Sequence, residues 1–300
     1  MANSIIDRLY FKVAKQLTRI SPRINTEMMW YRTFHKRIHL KHPKMFDEKL
    51  QWMKLYYYPK YPIFTQCADK YAVRKYVEDA GCGEILNDLY GAYDSVDEIP
   101  WDKLPNQFVV KWNFGSGKNL IVRDKSKLDI PKTIKKLRGW GESFKNFYWP
   151  YSEIHYRTMP PKIIVEKLIE TEDGEAPADY KVFCYNGKAD CIMMCYERGS
   201  KSGTIYYFFD KKGNLIRYNK RGIAAPEGLR LENIPENFDK VFEYAEKLSK
   251  PFPFVRADFY LEKGKVTFGE LTFTPCAALD ENLTPEAQLI MGEKITLPKK

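Results

Sequence analysis

Residues 254–275 read FVRADFYLEKGKVTFGELTFTP. Two β-rich runs meet at Lys263-Gly264, a turn signal between alternating apolar residues. Alternation sends Val255, Ala257, Phe259 and Leu261 to one face and Arg256 and Asp258 to the other. The packed face is expected to be the first of these. A three-residue loop, Lys263-Gly264-Lys265, pairs Glu262 with Val266, and the register then sets Asp258 opposite Glu270 and Arg256 opposite Thr272. Directly opposed residues have Cβ atoms about 4.5–5.5 Å apart, so two carboxylates placed this way repel unless a cation lies between them. Two acidic ligands with a hydroxyl two residues on suit Mg²⁺, which takes one or two carboxylates and completes its shell with water and phosphate oxygens. A solvated hairpin with a cross-strand Arg256–Glu270 pair accounts for the arginine but not for the facing acids. A two-residue loop would shift the parity and remove the pairing.

Working outward, two more strands carry a lysine where burial is expected. Lys111 lies inside Phe108-Val-Val-Lys-Trp112, and Lys181 inside Asp179-Tyr-Lys-Val-Phe183. A buried ammonium needs an anionic partner or gives up its proton. Close behind Lys111 comes Gly115-Ser116-Gly117, joining the strand-like runs 107–113 and 119–124. Such a turn lets backbone N–H groups approach a phosphate. It is not a Walker A loop, which would need glycine at Trp112 and a hydroxyl at Asn119. Glu166-Lys167-Leu168-Ile169 closes a further strand and opens into an acidic linker, 170–178. Backbone there could read an adenine edge, and Glu170 or Asp173 could bind ribose hydroxyls. Taken together, these features are what a nucleotide triphosphate with magnesium requires.

The remaining elements alternate hairpins and helices. Asn186-Gly187 joins the runs 180–185 and 188–196, and Lys212-Gly213-Asn214 joins 206–210 to 215–218. Helices are expected over 46–58, from an Asp69 cap to Gly81, over 132–138, 238–250 and 284–291. Antiparallel hairpins interleaved with helices mean α+β layers. The expected organisation is a basic helical region 1–66, an α/β segment 67–105, a smaller unit 106–170 and a larger one, 171–300, carrying the acidic hairpin.

The chain has 300 residues and a formal net charge of +10, with ten basic against two acidic side chains in residues 1–45. Ile5, Ile6, Leu9, Val13, Leu17 and Ile20 recur at helical spacing beside Arg8, Lys12, Lys15 and Arg19. Such a helix suits an anionic surface, be it a membrane leaflet, a polyphosphate lipid carrier or an acidic polymer; equally, it could pack its stripe on the body and solvate its charges. Nucleic acid is not expected, because no zinc-finger, RNP or helix-turn-helix pattern occurs. No run approaches the ~18 apolar residues of a membrane span, and charges break any secretory core, so a cytoplasmic location follows, peripheral to the inner membrane if the helix binds lipid. Six cysteines without a Cys-x-x-Cys spacing read as small buried side chains.

At the segments 39–57, 69–77, 104–122, 179–188 and 254–275 the sequence resembles the ATP-grasp enzymes, in particular the TupA-like branch of cell-surface polysaccharide clusters. The resemblance implies two α+β subdomains gripping ATP. It implies Lys111 and Lys181 on phosphates, Gly115, Ser116 and Gly117 covering them, and Glu166, Lys167, Leu168 and Ile169 on adenine, with Asp173 and Asp179 also on the nucleotide. Asp258, Glu270 and Thr272 would hold Mg²⁺, and Arg256 would meet the tetrahedral oxyanion, with Lys181 beside it. The implied reaction is ligation through an acyl phosphate, joining a uronic acid or similar carboxylate, free or lipid-linked, to an amino acid or amino alcohol. Two departures stand out: Phe114 occupies a position where relatives carry histidine, and 276–282 lacks the expected glycine. Competing readings are a phosphotransferase on the same fold, a glycosyltransferase (disfavoured by the lack of Asp-x-Asp) and a polymer-binding module.

Overall fold

The computed structural model describes residues 5–171, 177–196, 205–231 and 234–299. In chain order its helices and strands are α1 (Ile5–Ile20), α2 (Pro22–Phe34), α3 (Phe46–Tyr56), α4 (Pro62–Ala68), α5 (Val73–Asp79), β1 (Leu89–Tyr93), β2 (Phe108–Trp112), β3 (Asn119–Val122), α6 (Ile130–Gly141), β4 (Ile163–Glu166), β5 (Asp179–Tyr185), β6 (Lys188–Tyr196), β7 (Ile205–Phe209), β8 (Leu215–Ile216), α7 (Lys220–Ile223), α8 (Phe238–Ser249), β9 (Phe254–Glu262), β10 (Lys265–Thr272) and α9 (Pro285–Glu293). They form a four-stranded sheet, β1-β4-β2-β3, and a six-stranded one, β10-β9-β5-β6-β7-β8. Every recorded pairing is antiparallel. The α+β expectation holds, with three of its hairpins where the turn residues place them.

Asn186 and Gly187 have φ of 50° and 77°, and Lys263 and Gly264 have 50° and 72°. Both are two-residue turns whose left-handed backbone matches the twist of the flanking strands. The three-residue loop expected at 263–265 is therefore absent: Lys265 pairs with Glu262. The parity that this would shift is restored downstream. The register slips between Phe268 and Glu270, leaving Gly269 as a bulge, after which Glu270 pairs with Asp258 and Thr272 with Arg256. A Cβ at Gly269 would sit 2.9 Å from the Asp258 carbonyl oxygen, so only glycine fits without a shift. The expected pairing is correct for a reason that the expectation did not contain.

Both faces of the large sheet are covered. On one, α8 packs against β5, β6 and β9, with Val182, Cys184, Val255 and Ala257 fully buried. On the other, Phe46 at the start of α3 meets Phe254 with ring centroids 4.9 Å apart. Arg256 and Asp258 are only 9% and 3% exposed, so the acidic face is not the open one that alternation suggested. It is covered in part by the β2–β3 loop and the aromatic segment 144–156, of which Phe144, Phe147 and Tyr156 pack, partly buried, against the core of the small sheet. Burying one such ring contributes roughly 1.5–3 kcal/mol.

Two local expectations need correcting. The helix expected to start behind Asp69 begins at Val73, because Asp69 Oδ1 accepts from Tyr71 N and Ala72 N and holds residues 70–72 as a turn. The cysteines are not uniformly buried: Cys195 is half-buried and Cys276 is exposed. The acidic linker at 170–178 and its Asp173 fall largely or wholly outside the described residues. Among the described residues, no helix is long and apolar enough to cross a membrane.

Candidate active site

The register sets a row of side chains across the large sheet. Glu270 of β10 faces Asp258 of β9, Asp258 faces Lys181 of β5, Lys181 faces Met193 of β6, and Met193 faces Phe208 of β7. These share one face because paired residues always do. Above this face lies a cavity of about 780 Å³, lined by Glu270, Lys181, Met193 and Phe208 of the row but not by the buried Asp258, by Gly115, Ser116 and Lys118 from the β2–β3 loop, by Tyr151, Glu153 and Tyr156, and by Thr274, Cys276 and Asp280 beyond the acidic hairpin.

The row is an ion network. Arg256 clamps Asp258 through Nε and Nη2, each at 2.7 Å. Lys181 Nζ donates to Asp258 Oδ2 at 2.6 Å and to Asp179 Oδ2 at 2.5 Å. Glu270 takes weaker contacts: Arg256 Nη2 and Lys70 Nζ, each at 3.5 Å, and the Thr272 hydroxyl at 3.1 Å. Burial lowers the Lys181 pKa, but Asp258 and Asp179 outweigh it and hold the ammonium above its usual value. Burial is also the largest influence on Asp258 and lifts it, against the pull of Arg256 and Lys181. Glu270 ends the other way. Burial pushes it up, yet Lys70, Arg256 and Lys181 together hold it at about 2. Glu270 is thus the more accessible carboxylate, with its side chain 37% exposed, and it stays ionised at neutral pH.

Of the expected magnesium ligands, Glu270 and Thr272 line the cavity, whereas Asp258 has both oxygens engaged by Arg256 and Lys181, so an ion held here would draw chiefly on Glu270. Glu270 faces the cleft, Asp258 lies directly across the ladder, and Thr272 Oγ1 bridges Glu270 and Arg256. Among the described residues no group of three His, Cys, Asp or Glu is arranged to hold a metal. One or two carboxylates with remaining sites left to phosphate and water are, however, the usual magnesium arrangement. Bound there, the ion would neutralise phosphate charge.

The glycine loop stands over this row. Gly115 and Gly117 have φ of 70° and 72°, with open space where a Cβ would point. Lys70 Nζ donates to Gly115 O at 2.7 Å and also meets Glu270, so one ammonium ties the loop to the acidic hairpin. Phe114 is 2% exposed and stacks on Phe147 at 5.1 Å, with Phe144 at 4.8 Å. Its ring anchors the loop in the aromatic roof, and this is the structural role of the residue standing in the expected histidine's place.

Other sequence candidates sit apart from the cavity lining. Lys111 Nζ is paired with Glu166 Oε2 at 2.6 Å, and Arg74 approaches the same carboxylate at 3.5 Å. Lys167 N is bonded to Asp88 O, and Leu168 is 7% exposed. Asp179 meets the network through Lys181, in the contact given above. Conversely, Lys70, Glu153, Tyr156, Thr274 and Asp280 were not singled out from sequence. The resemblance segments 69–77 and 254–275 contain Lys70 and Thr274, and the departure at 276–282 contains Asp280, but no residue-level signal distinguished them.

A glycine loop closing over a sheet face that presents two lysine-type cations, an arginine and paired acids is the nucleotide-gripping arrangement of ATP-grasp proteins. Residues 48–296 match the profile of the TupA-like ATP-grasp family, and the chain belongs to that family. Among solved structures it is similar to the D-alanine–D-alanine ligase of Bacillus anthracis complexed with ATP, at 16% identity and a TM-score of 0.45, over 77% of this chain and 65% of that one. It is also similar to an L-amino acid ligase from Bacillus licheniformis, at 15% identity and a TM-score of 0.42, over 87% of this chain and 53% of that one. The chain spans less than two thirds of the length of either ligase. A search of curated proteins gave no match.

Proposed function

We propose that this protein is an ATP- and magnesium-dependent carboxylate–amine ligase that works through an acyl phosphate and releases ADP. The observation that carries the reading is the row of Glu270, Asp258 and Lys181 beneath the glycine loop, with Arg256 clamping Asp258 from two residues along the same strand. A substrate carboxylate attacks the γ-phosphorus, an amine then displaces phosphate, and no side-chain nucleophile is needed. Lys181 and Arg256 are placed to meet the charge that develops on phosphoryl and acyl oxygens, in a site where fixed donors act at low dielectric. Membership of the TupA-like branch supports a carboxylate from cell-surface polysaccharide synthesis: a uronic acid or an acidic amino acid. The test is a mass-spectrometric screen of glucuronate, galacturonate and glutamate against glycine, serine, lysine and ethanolamine, with ATP and Mg²⁺. The expected result is ADP, phosphate and an amide mass in at least one pair. A phosphorylated sugar formed without amine would instead establish a phosphotransferase.

We also propose that α1 docks this enzyme on an anionic bilayer from the cytoplasmic side. The helix packs inward through Ala14 and Thr18, which bonds Ser152 at 2.8 Å, and through Phe11, 5.8 Å from the Tyr151 ring. That leaves Leu9 at 62%, Val13 at 44% and Ile20 at 79% exposed, interleaved with exposed Lys12 and Arg19. Leu9, Val13 and Ile20 of the apolar stripe read from sequence therefore lie outward, among cations, which matches anionic lipid. Co-sedimentation with phosphatidylglycerol vesicles is expected, about tenfold weaker for the triple variant Leu9→Ser/Val13→Ser/Ile20→Ser and weakened by salt. Equal affinity for phosphatidylcholine vesicles, or none for either, would overturn it.

A further inference from the structure

The cavity has two chemistries. Lys70, Lys118, Lys181 and Arg256 line the part beneath the glycine loop, whereas Glu153 and Asp280 line the part beside Thr274 and Cys276. Phosphates and a carboxylate substrate account for the cations. The acids at the Thr274 end have no such explanation, and they would repel both.

Glu153 is held in place. Its Oε1 accepts from the Thr274 hydroxyl at 2.5 Å. Beneath it lies Lys54, 1% exposed, whose ammonium donates to Tyr151 O at 2.6 Å and is shut off from the cleft. Burial raises the Glu153 carboxyl, and Lys54 and the Thr274 hydroxyl draw it back. Asp280 is fixed too: its N–H bonds Asp47 Oδ2 at 2.9 Å, and its Oδ1 accepts from Asn282 N at 2.9 Å. Tyr156 is within electrostatic reach of Glu153, Glu270 and Arg256 alike, so Glu153 borders the same reacting region as the acidic hairpin. Tyr151, Tyr156 and Lys54 are the titratable groups that face it.

We infer that Glu153 is the catalytic residue that receives the amine: it binds the ammonium of a primary amine and takes one of its protons, so that the neutral nitrogen can attack the acyl phosphate. This rests on the ligase reading and deepens it. The proton balance is complete. R–NH₃⁺ gives one proton to the Glu153 carboxylate; nitrogen then forms the bond to the acyl carbon; the acyl C–O bond breaks with its electron pair on phosphate; one of the two remaining N–H protons leaves on that phosphate while the other stays on the amide, and Glu153 returns its proton to water as products depart. No other reactant is required.

Hydroxylamine separates this step from the first one, because it is uncharged at neutral pH and needs no base to become a nucleophile. The experiment compares Glu153→Gln with the unsubstituted chain, using the carboxylate that gives ADP in the screen above and either glycine or hydroxylamine as acceptor. The ratio of amide to hydroxamate rate is expected to fall about 100-fold, the usual scale of lost general-base assistance. Thr274→Val, which frees the carboxylate without removing it, is expected to lower the ratio less and to raise the KM for glycine. Equal loss with both acceptors would show that Glu153 serves the fold or the first step, and an unaltered ratio would show that another group takes the proton; either overturns the inference. Absence of both ADP and hydroxamate from the unsubstituted chain would instead sink the ligase reading itself.

Discussion

Replacing Glu270 by Gln is expected to lower ATP-dependent turnover by about 10²–10³-fold, the scale on which a preorganised charged group acts on a developing charge, while leaving thermal stability nearly unaltered. The neighbouring Asp258→Asn is expected to cost comparable activity and, unlike Glu270→Gln, to destabilise the fold. The difference follows from their partners. Glu270 has its side chain 37% exposed and makes two contacts at 3.5 Å, so its surroundings can resolvate when its charge is removed. Asp258 is 3% exposed and is the shared counter-ion of Arg256 and Lys181. Neutralising it leaves Lys181 with Asp179 alone and Arg256 with only its longer contact to Glu270, and breaking one partner of a buried cluster costs up to about 3–5 kcal/mol. ADP release under saturating ATP, with Mg²⁺ varied, measures the first effect, and Glu270→Gln should demand more Mg²⁺ for half-maximal rate. A thermal melt measures the second. If Glu270→Gln turned over at more than a tenth of the normal rate with unaltered Mg²⁺ dependence, the paired-acid reading of the hairpin would fall. If Asp258→Asn melted with the unsubstituted chain, the Arg256–Lys181 clamp would not be the stabilising feature that its geometry indicates.

These two acids also show what a sequence can disclose. Their facing arrangement was legible, but through the wrong loop. Turn chemistry identified Lys263-Gly264 correctly, yet whether a hairpin uses two or three residues there depends on φ at Lys263, which an L-residue adopts only when the strands demand it. Gly269 compensates, and nothing in the run VTFGEL distinguishes a bulge glycine from a mere weak point in a strand. Asn186-Gly187 and the strands around it read more easily because every signal there is local.

Contacts across long sequence separations were not legible. Lys70 joins Gly115 and Glu270, 45 and 200 positions away, and beside Asp69 it looked like the first turn of a solvated helix. Glu153 meets Thr274 across 121 positions, from a segment whose rings drew attention away from its one acid. Phe114 was noticed as a departure, but its meaning became clear only from the rings that enclose it. Strand β1 escaped notice because LYGAY is short and carries Gly91 at its centre.

Glycines inside helices pose the same difficulty in its sharpest form. By propensity alone, Gly139 in α6 and Gly292 in α9 are equivalent, and alanine at either should stabilise by up to about 1 kcal/mol. The structure separates them. A Cβ on Gly139 would meet nothing within 4 Å, whereas one on Gly292 would sit 2.1 Å from Lys44 O and 2.9 Å from both Met45 C and Phe46 N. Those are backbone atoms at the start of α3, and they cannot rotate away as a side chain would. Gly292→Ala is therefore expected to push α9 off α3 and to cost about 3 kcal/mol, the upper end for overpacking. At about 2–4 °C per kcal/mol, that lowers the melting temperature by roughly 6–12 °C. Gly139→Ala is expected to raise it slightly. The damage should reach the cleft as well. Gln288 on α9 accepts from Asp47 N at 3.0 Å and donates to Asp47 Oδ2 at 2.8 Å, and that same oxygen receives Asp280 N. Burial pushes the Asp47 carboxyl up to about 7 even against the pull of these two donors, so it sits at the edge of ionisation at neutral pH. Displacing Gln288 removes one of them, favours the protonated acid and loosens the Asp280 turn. Gly292→Ala should accordingly raise the KM for the amine more than that for ATP, measured below its melting transition. Melting within 2 °C of the unsubstituted chain would show that α3 and α9 can part without cost, and the close crossing would then have no hold over the amine end of the site.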